Sequence, residues 1–235
     1  MRRLLAVIAA VAFTACANDD LVIVFDTTTT SPATSAPSTT SAVTTSPSIT
    51  TTTIAGYGDQ VRSVMVDGEA LPAFVDSHSD PAIGRPIPTL TGEGYDGTPI
   101  TIGPDRTNPM LLVVLAHWCP HCNNEIPEIN AIRDADRWPD GLEVVGISSA
   151  IAPDRPNFPP ARWVVEKDWT YPVLADGIDE TRGVYIAGDA LGVTGYPFMV
   201  LVDATGAVRG RWSGESPADA LVALVTDLIN PPADV

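Results

Sequence analysis

The chain has 235 residues, with 29 acidic against 13 basic side chains and a formal net charge of −16. That balance argues against a nucleic-acid partner, because phosphate binding needs clustered Lys and Arg. A hydrophobic fraction of 45% is that of a folded domain rather than a disordered chain.

Residues 1–16 have the pattern of a signal peptide. Arg2 and Arg3 are followed by a short apolar core from Leu4 to Phe13, and Thr14-Ala15 precede Cys16. The apolar run is too short to span a membrane, since Asn18, Asp19 and Asp20 interrupt it. Small residues before a cysteine resemble the lipobox of bacterial lipoproteins, with Phe13 where that family prefers Leu. The resemblance implies lipidation of Cys16 and an extracytoplasmic protein anchored to the cell membrane. Ordinary cleavage nearby, giving a secreted protein, is the alternative. Either route leads to an oxidising compartment.

Residues 17–55 read as a linker. From Thr27 onward it is a Thr/Ser/Pro/Ala tract without hydrophobic period, which cannot order itself by burial. The folded domain is expected over 56–235. Val61 to Val66, the turn Asp67-Gly68 and an apolar stretch through Phe74 predict an N-terminal hairpin. Pro99 to Ile102 reads as a short strand. Met110 to Ala116 carries no charge and reads as a strand buried on both faces. It runs into Trp118-Cys119-Pro120-His121-Cys122. Beyond, Ile126, Ile129, Ile132 and Ala135 recur at helical spacing, with Pro127 expected to kink the helix. Glu143 to Ile147 is the next buried strand, followed by a proline-rich irregular insertion at 150–160. Arg162 to Trp169 predicts a helix, Tyr171 to Leu174 a strand, and Glu180 to Leu191 a helix. Phe198 to Asp203 and Ala207 to Trp212 predict an antiparallel hairpin. Pro217 to Ile229 predicts a closing helix. The order β-α-β then β-β-α gives an α/β fold, a central mixed sheet with helices on both faces.

Of three cysteines, Cys16 is consumed by the leader reading, which leaves Cys119 and Cys122 as one redox dithiol. A thiolate attacks disulfides, and unpaired N–H groups at a helix N-terminus stabilise an anionic sulfur. Cys119 is therefore expected to be the exposed attacker, and Cys122, one turn on, the buried resolving thiol. A protonated His121 would stabilise the thiolate and make the disulfide more oxidising. Trp118 is placed at the rim, either packing there or touching substrate, and His117 reads as a packing residue. Pro197, just before a strand, is a candidate to bring its loop beside the dithiol.

The stretch Ala116 to Pro127 resembles the thioredoxin superfamily and is closest to the TlpA/ResA-type membrane-tethered thiol–disulfide oxidoreductases, with their W-C-x-x-C-x-x-E-x-P motif. Leu191 to Pro197 resembles that family's G-V-x-G-x-P segment, and Val200 to Gly206 its strand-Asp-turn-Gly hairpin. The similarity covers most of residues 83–229. It implies a thioredoxin-like fold, no cofactor, a cis Pro197, and Tyr196 offering its backbone to an extended substrate segment. It also implies a membrane redox partner and dithiol exchange with the thiols and disulfides of exported proteins.

Two positions depart from the pattern. Val113 stands where thioredoxins carry a buried Asp, and Ser148-Ser149-Ala150-Ile151 where the ResA-like branch has a Glu. Asp154 is then a candidate proton acceptor for Cys122. The Pro-His dipeptide resembles oxidising enzymes of the DsbA type while the frame resembles reductants, so both directions of electron flow stay open. Two further readings remain: a copper(I) chaperone with Cys119, Cys122 and His78 as ligands, and a redox-inert surface-binding lipoprotein.

Overall fold

The computed structural model describes residues 60–231. The leader at 1–16 with Cys16, the linker at 17–55, and positions 56–59 and 232–235 of the expected domain lie outside the described residues. In chain order the elements are β1 (Met65–Asp67), β2 (Thr89–Glu93), β3 (Pro99–Ile102), β4 (Met110–Leu115), α1 (Pro120–Asp134), β5 (Glu143–Ser148), α2 (Pro160–Glu166), β6 (Val173–Ala175), β7 (Ile178–Asp179), β8 (Val184–Tyr185), α3 (Ile186–Ala190), β9 (Phe198–Val202), β10 (Val208–Ser213) and α4 (Ala218–Ile229).

The main sheet runs β10-β9-β4-β5-β6. Strands β4, β5 and β6 are parallel, while β9 lies antiparallel to both β4 and β10. All six residues of β4 are buried, as the uncharged run predicts for a central strand covered on both faces. Alternation along β4 then builds two cores. Leu111, Val113 and Leu115 meet Ile126, Ile129 and Ile132 of α1 and Leu221 and Val225 of α4. Met110, Leu112 and Val114 meet Ala187 and Ala190 of α3 and, from the N-terminal segment, Leu71, Ile87 and Leu90. Each such side chain contributes about 1.5–3 kcal/mol on full burial. The architecture is the expected thioredoxin-like mixed sheet with helices on both faces.

The N-terminal extension is a separate antiparallel sheet, β1-β2-β3. Its β1 pairs with β2, Met65 opposite Thr91, instead of folding back on the residues after Gly68. Those residues cross to α3: Leu71 N–H donates to Ala190 O and Phe74 N–H to Gly192 O, both at 2.9 Å. Burial of Leu71 in the core outweighs local hairpin pairing. Gly192 has φ +69, and a Cβ there would lie 2.2 Å from Pro72 O, so the crossing requires glycine.

The helix expected over Glu180 to Leu191 is shorter. Asp179 Oδ1 accepts the N–H groups of Thr181 and Arg182 at 3.0 and 3.1 Å, and Gly183 has φ +66. This side-chain turn joins β7 to β8, and only Ile186–Ala190 is helical. Helix α2 starts and ends slightly earlier than its pattern predicts, with Pro160 in its first turn.

A buried ion pair ties the N-terminal segment to the main sheet. Arg211 of β10 donates through Nε to Asp80 at 2.8 Å, and its Nη1 donates to Pro72 O and Leu191 O at 2.9 Å each. Both side chains are fully enclosed. Removing one partner strands the other charge in the interior. Asp80→Ala is expected to lower the unfolding free energy by about 3–5 kcal/mol, measured by urea denaturation. A loss under about 1 kcal/mol would place the pair among ordinary surface contacts.

Candidate active site

Strand β4 delivers the chain to a tight turn in which Cys119 N–H donates to Ala116 O at 3.0 Å. Cys119 is the N-cap of α1 and Pro120 follows it, where a missing N–H costs nothing. No side chain caps this helix end, so the Cys119 sulfur sits beside uncapped N–H groups and the positive end of the helix dipole.

Cys122 lies one turn further and has no exposure, whereas Cys119 keeps 5%. Cys119 is thus more enclosed than its role as an exposed attacker predicts, although it remains the more accessible of the two. Both are free thiols, and they lie close enough for Cys119 to act on the ionisation of Cys122. Burial, more than any other cause, pushes the Cys122 thiol well above its ordinary range, and the N–H of Ala116 at 3.4 Å only partly offsets this. The peptide bond between Tyr196 and Pro197 is cis. Its loop lies against the dithiol, with Cys119 Sγ 3.4 Å from Tyr196 O.

Asn123 closes the turn. Its Nδ2 donates to Cys119 O at 2.8 Å and to His117 O at 3.3 Å, and its Oδ1 accepts from Trp163 Nε1 at 3.0 Å. Pro127 lies inside α1 and cannot donate to Asn123 O, four residues back. Lys167 Nζ approaches that carbonyl instead, at 3.5 Å.

His121 is exposed and faces Glu215 Oε1 at 3.4 Å. Among the described residues no hydrogen bond joins it to either sulfur. Trp118 is half-buried: its Nε1 donates to Ala150 O at 2.7 Å, and its ring meets the Tyr196 ring edge-on, centroids 6.2 Å apart. Trp118 thus packs against the insertion and the cis-proline loop. His117 is buried and uses both ring nitrogens on the 150–157 insertion, Nδ1 to Pro156 O at 2.7 Å and Nε2 to Ala152 N at 3.1 Å. Accepting from the Ala152 N–H requires an unprotonated Nε2, and burial lowers the imidazole's proton affinity accordingly.

Besides Asp80, two acids are buried among the described residues, and both lie near the site. Glu125, one turn after Cys122, is fully buried on the apolar face of α1. Its Oε2 accepts from Ser216 N at 2.7 Å, while Oε1 has no partner. Burial pushes its carboxyl up to about 7, with Glu128 and Glu215 adding to the rise, and its charge acts on Cys122. The signal was present in the spacing, because an acid interrupting the Cys122, Ile126, Ile129 face has to be buried. Asp176 follows β6. It accepts from Ser149 Oγ at 2.7 Å, Ala187 N at 2.7 Å and Gly188 N at 3.1 Å, and burial raises its carboxyl to about 6. Ser149 also acts on the Tyr196 hydroxyl, partly offsetting the rise that burial causes in its pKa. The segment that lacks the expected Glu is thus supplied with an acid from the next strand. Asp154 is exposed in the insertion.

No group of three or more His, Cys, Asp or Glu side chains suited to a metal occurs among the described residues. His78 lies in an exposed turn, its N–H on Asp76 Oδ1, so the copper ligand set of Cys119, Cys122 and His78 is not assembled.

A cysteine N-cap, a buried second thiol and a cis-proline loop on one thioredoxin-like sheet invite comparison with known proteins. The AhpC/TSA family pattern matches residues 83–211, more than half of the chain. The chain belongs to the AhpC/TSA family. Within this family's reach, it is 31% identical over 141 residues to the thiol:disulfide interchange protein DsbE of Escherichia coli K12, and equally to that of Shigella flexneri. Those matches cover 57% of this chain and 66% of each relative, slightly under two thirds of their length. A Chlorobium tepidum structure described as a thiol:disulfide interchange protein DsbE superposes with a TM-score of 0.50 at 21% identity, covering 62% of this chain and 96% of that one. It shares the fold.

Glu125 generates a stability test. Its carboxyl binds a proton more tightly folded than unfolded, so the folded state is penalised as pH rises from about 4.5 to about 7. Glu125→Gln is expected to stabilise the protein by up to about 3 kcal/mol at pH 8, with no gain below pH 4.5. Chemical denaturation at pH 4 and pH 8 reads the difference; a gain independent of pH would contradict the assignment.

Proposed function

We propose that the protein is an extracytoplasmic thiol–disulfide oxidoreductase that exchanges disulfides with exported proteins through Cys119 and Cys122. The observation that carries this reading is Cys119 at the uncapped start of α1, 3.4 Å from the Tyr196 carbonyl, with the buried Cys122 one helical turn behind it. The names of the relatives in Escherichia coli and Shigella flexneri support it.

In the reductive direction, Cys119 Sγ attacks one sulfur of a client disulfide. A mixed disulfide forms, and the client's second sulfur leaves as a thiolate with the bonding pair. Cys122 passes its proton to Glu125 and attacks Cys119 Sγ. The client's first sulfur then leaves with its pair, so the client has gained two electrons and the protein holds a Cys119–Cys122 disulfide. Run backwards, the same steps donate that disulfide, with protonated Glu125 returning the proton. A carboxyl that ionises near neutrality suits both directions. Tyr196 and Pro197 present backbone to an extended client segment, and Trp118 holds the rim. His121, paired with Glu215, adds charge at a distance from the sulfurs.

The leader pattern and the Cys16 lipobox support a tether, through the 17–55 linker, at the outer face of the cell membrane. No helix among the described residues is long and apolar enough to cross a membrane. A tethered dithiol that turns over needs a membrane redox partner to reset it.

Insulin reduction and oxidation of reduced ribonuclease test the reading in both directions. Activity in at least one, abolished by Cys119→Ser, is expected. Cys122→Ser is expected to leave clients disulfide-linked to Cys119, visible on a non-reducing gel. Glu125→Gln is expected to slow release of the mixed disulfide by on the order of 10²-fold, without slowing its formation. Inactivity in both assays with intact fold and accessible thiols would overturn the proposal and leave the redox-inert reading.

A further inference from the structure

Arg155 differs from every other described basic side chain. Of the 13 Lys and Arg residues, only Arg2 and Arg3 lie outside the described region. Seven of the rest pair with carboxylates. Arg62, Lys167 and Arg209 donate to backbone carbonyls. Arg155 is left with neither kind of partner among the described residues. Its guanidinium lies over the Trp118 ring, 5.4 Å from the centroid, one residue before Cys119. In a chain of net charge −16, unpaired positive charge is scarce, and here it stands over the ring of the residue that precedes Cys119.

The position is held, although the residue itself is exposed. The insertion carrying Arg155 is fastened at several points. His117 takes Ala152 N and Pro156 O, Asn157 Nδ2 donates to His117 O at 2.8 Å, and the Tyr185 hydroxyl donates to Ile151 O. Trp118 is fixed in turn by Ala150 O and the Tyr196 ring. Tyr196, Trp118 and Arg155 therefore form a chain of contacts leading away from Cys119. An extended client advances about 3.3 Å per residue, so a client that runs from Cys119 along the Tyr196 and Trp118 rings would bring residues a few positions from its cysteine toward the guanidinium. A guanidinium held by an indole face spends none of its N–H donors on another acceptor, which leaves them for a carboxylate.

We infer that Arg155 is a specificity-determining residue that receives a carboxylate flanking the client's cysteine, so that the site favours acidic peptide segments. The inference rests on the exchange reading of Cys119 and Cys122. It adds an attraction that the protein's overall negative charge opposes, and the preference should therefore be local and short-ranged.

The test uses the reduced full-length chain and single-cysteine peptides capped as mixed disulfides with thionitrobenzoate. The peptides are identical except for Glu or Gln at the positions flanking the cysteine. Attack by Cys119 on the peptide sulfur releases coloured thionitrobenzoate, and each rate is divided by the same peptide's rate with dithiothreitol. The expected result is a preference for the Glu peptide of about two- to fivefold at low salt, abolished in 1 M NaCl and in Arg155→Gln. Arg162→Gln, which removes a surface charge paired with Glu166, is expected to keep the preference. No preference in the wild-type chain, an equal one in Arg155→Gln, or its loss in Arg162→Gln as well would overturn the inference. If neither peptide reacts at all, the exchange reading falls and takes this inference with it; reaction of both peptides without discrimination removes only the role of Arg155.

Discussion

The structure depends on how a fully buried strand is made to stop. Strand β4 is apolar on both faces and enclosed by both cores, so its end must satisfy its backbone without help from water. It does so by turning at once into α1, with Cys119 N–H on Ala116 O and Asn123 clamping the carbonyls of His117 and Cys119. That junction puts one sulfur at a helix N-terminus and the other against the end of the strand. The asymmetry between the two thiols follows from one being at the lip of the core and the other inside it.

Around this junction the fold tolerates buried groups that would ordinarily destabilise it. Asp176 is surrounded by donors from Ser149 and the start of α3, so its enclosure serves to anchor a short helix to the end of β5. Glu125 is different, because one of its oxygens is buried without a partner. A group left under-satisfied beside a buried thiol is better understood as a proton exchanger than as a structural fastener. His117 acts in a third way, since its neutral ring bridges two backbone groups of the insertion and joins a loop otherwise free of regular structure to the residues just before the dithiol.

The parts legible in the sequence are those written in short-range patterns. The uncharged run at 110–116, the Ile126, Ile129, Ile132 stripe and the turn at Gly206 between β9 and β10 each announce a local structure, and each is found; the cis Pro197 is also found, but it follows from the family resemblance rather than from spacing. The parts that were not legible depend on distant partners. Whether β1 pairs with β2 or with the residues after Gly68 is decided by where Leu71 and Phe74 bury, against α3 more than a hundred residues away. The helix expected from Glu180 gives way to a turn because Asp179 captures two backbone N–H groups. At the site, Cys119 and Cys122 could be placed from spacing alone, whereas the acid acting on Cys122 could not. The strand positions that carry an acid in the resembling families hold Val113 and Ser149 instead. Glu125, one helical turn from Cys122, belongs to the sequence motif, and its burial is decided by the packing of α1 against the sheet.

The central claim is that Cys119 and Cys122 form one two-electron couple. It is tested most directly by equilibrating the chain in glutathione buffers spanning a wide range of potential, trapping free thiols by alkylation and weighing the products. The account predicts two populations only, one with both thiols alkylated and one with neither, joined by an internal disulfide, interconverting along a single two-electron curve. Persistent single alkylation with glutathione on Cys119, and no internal disulfide at any potential, would contradict it.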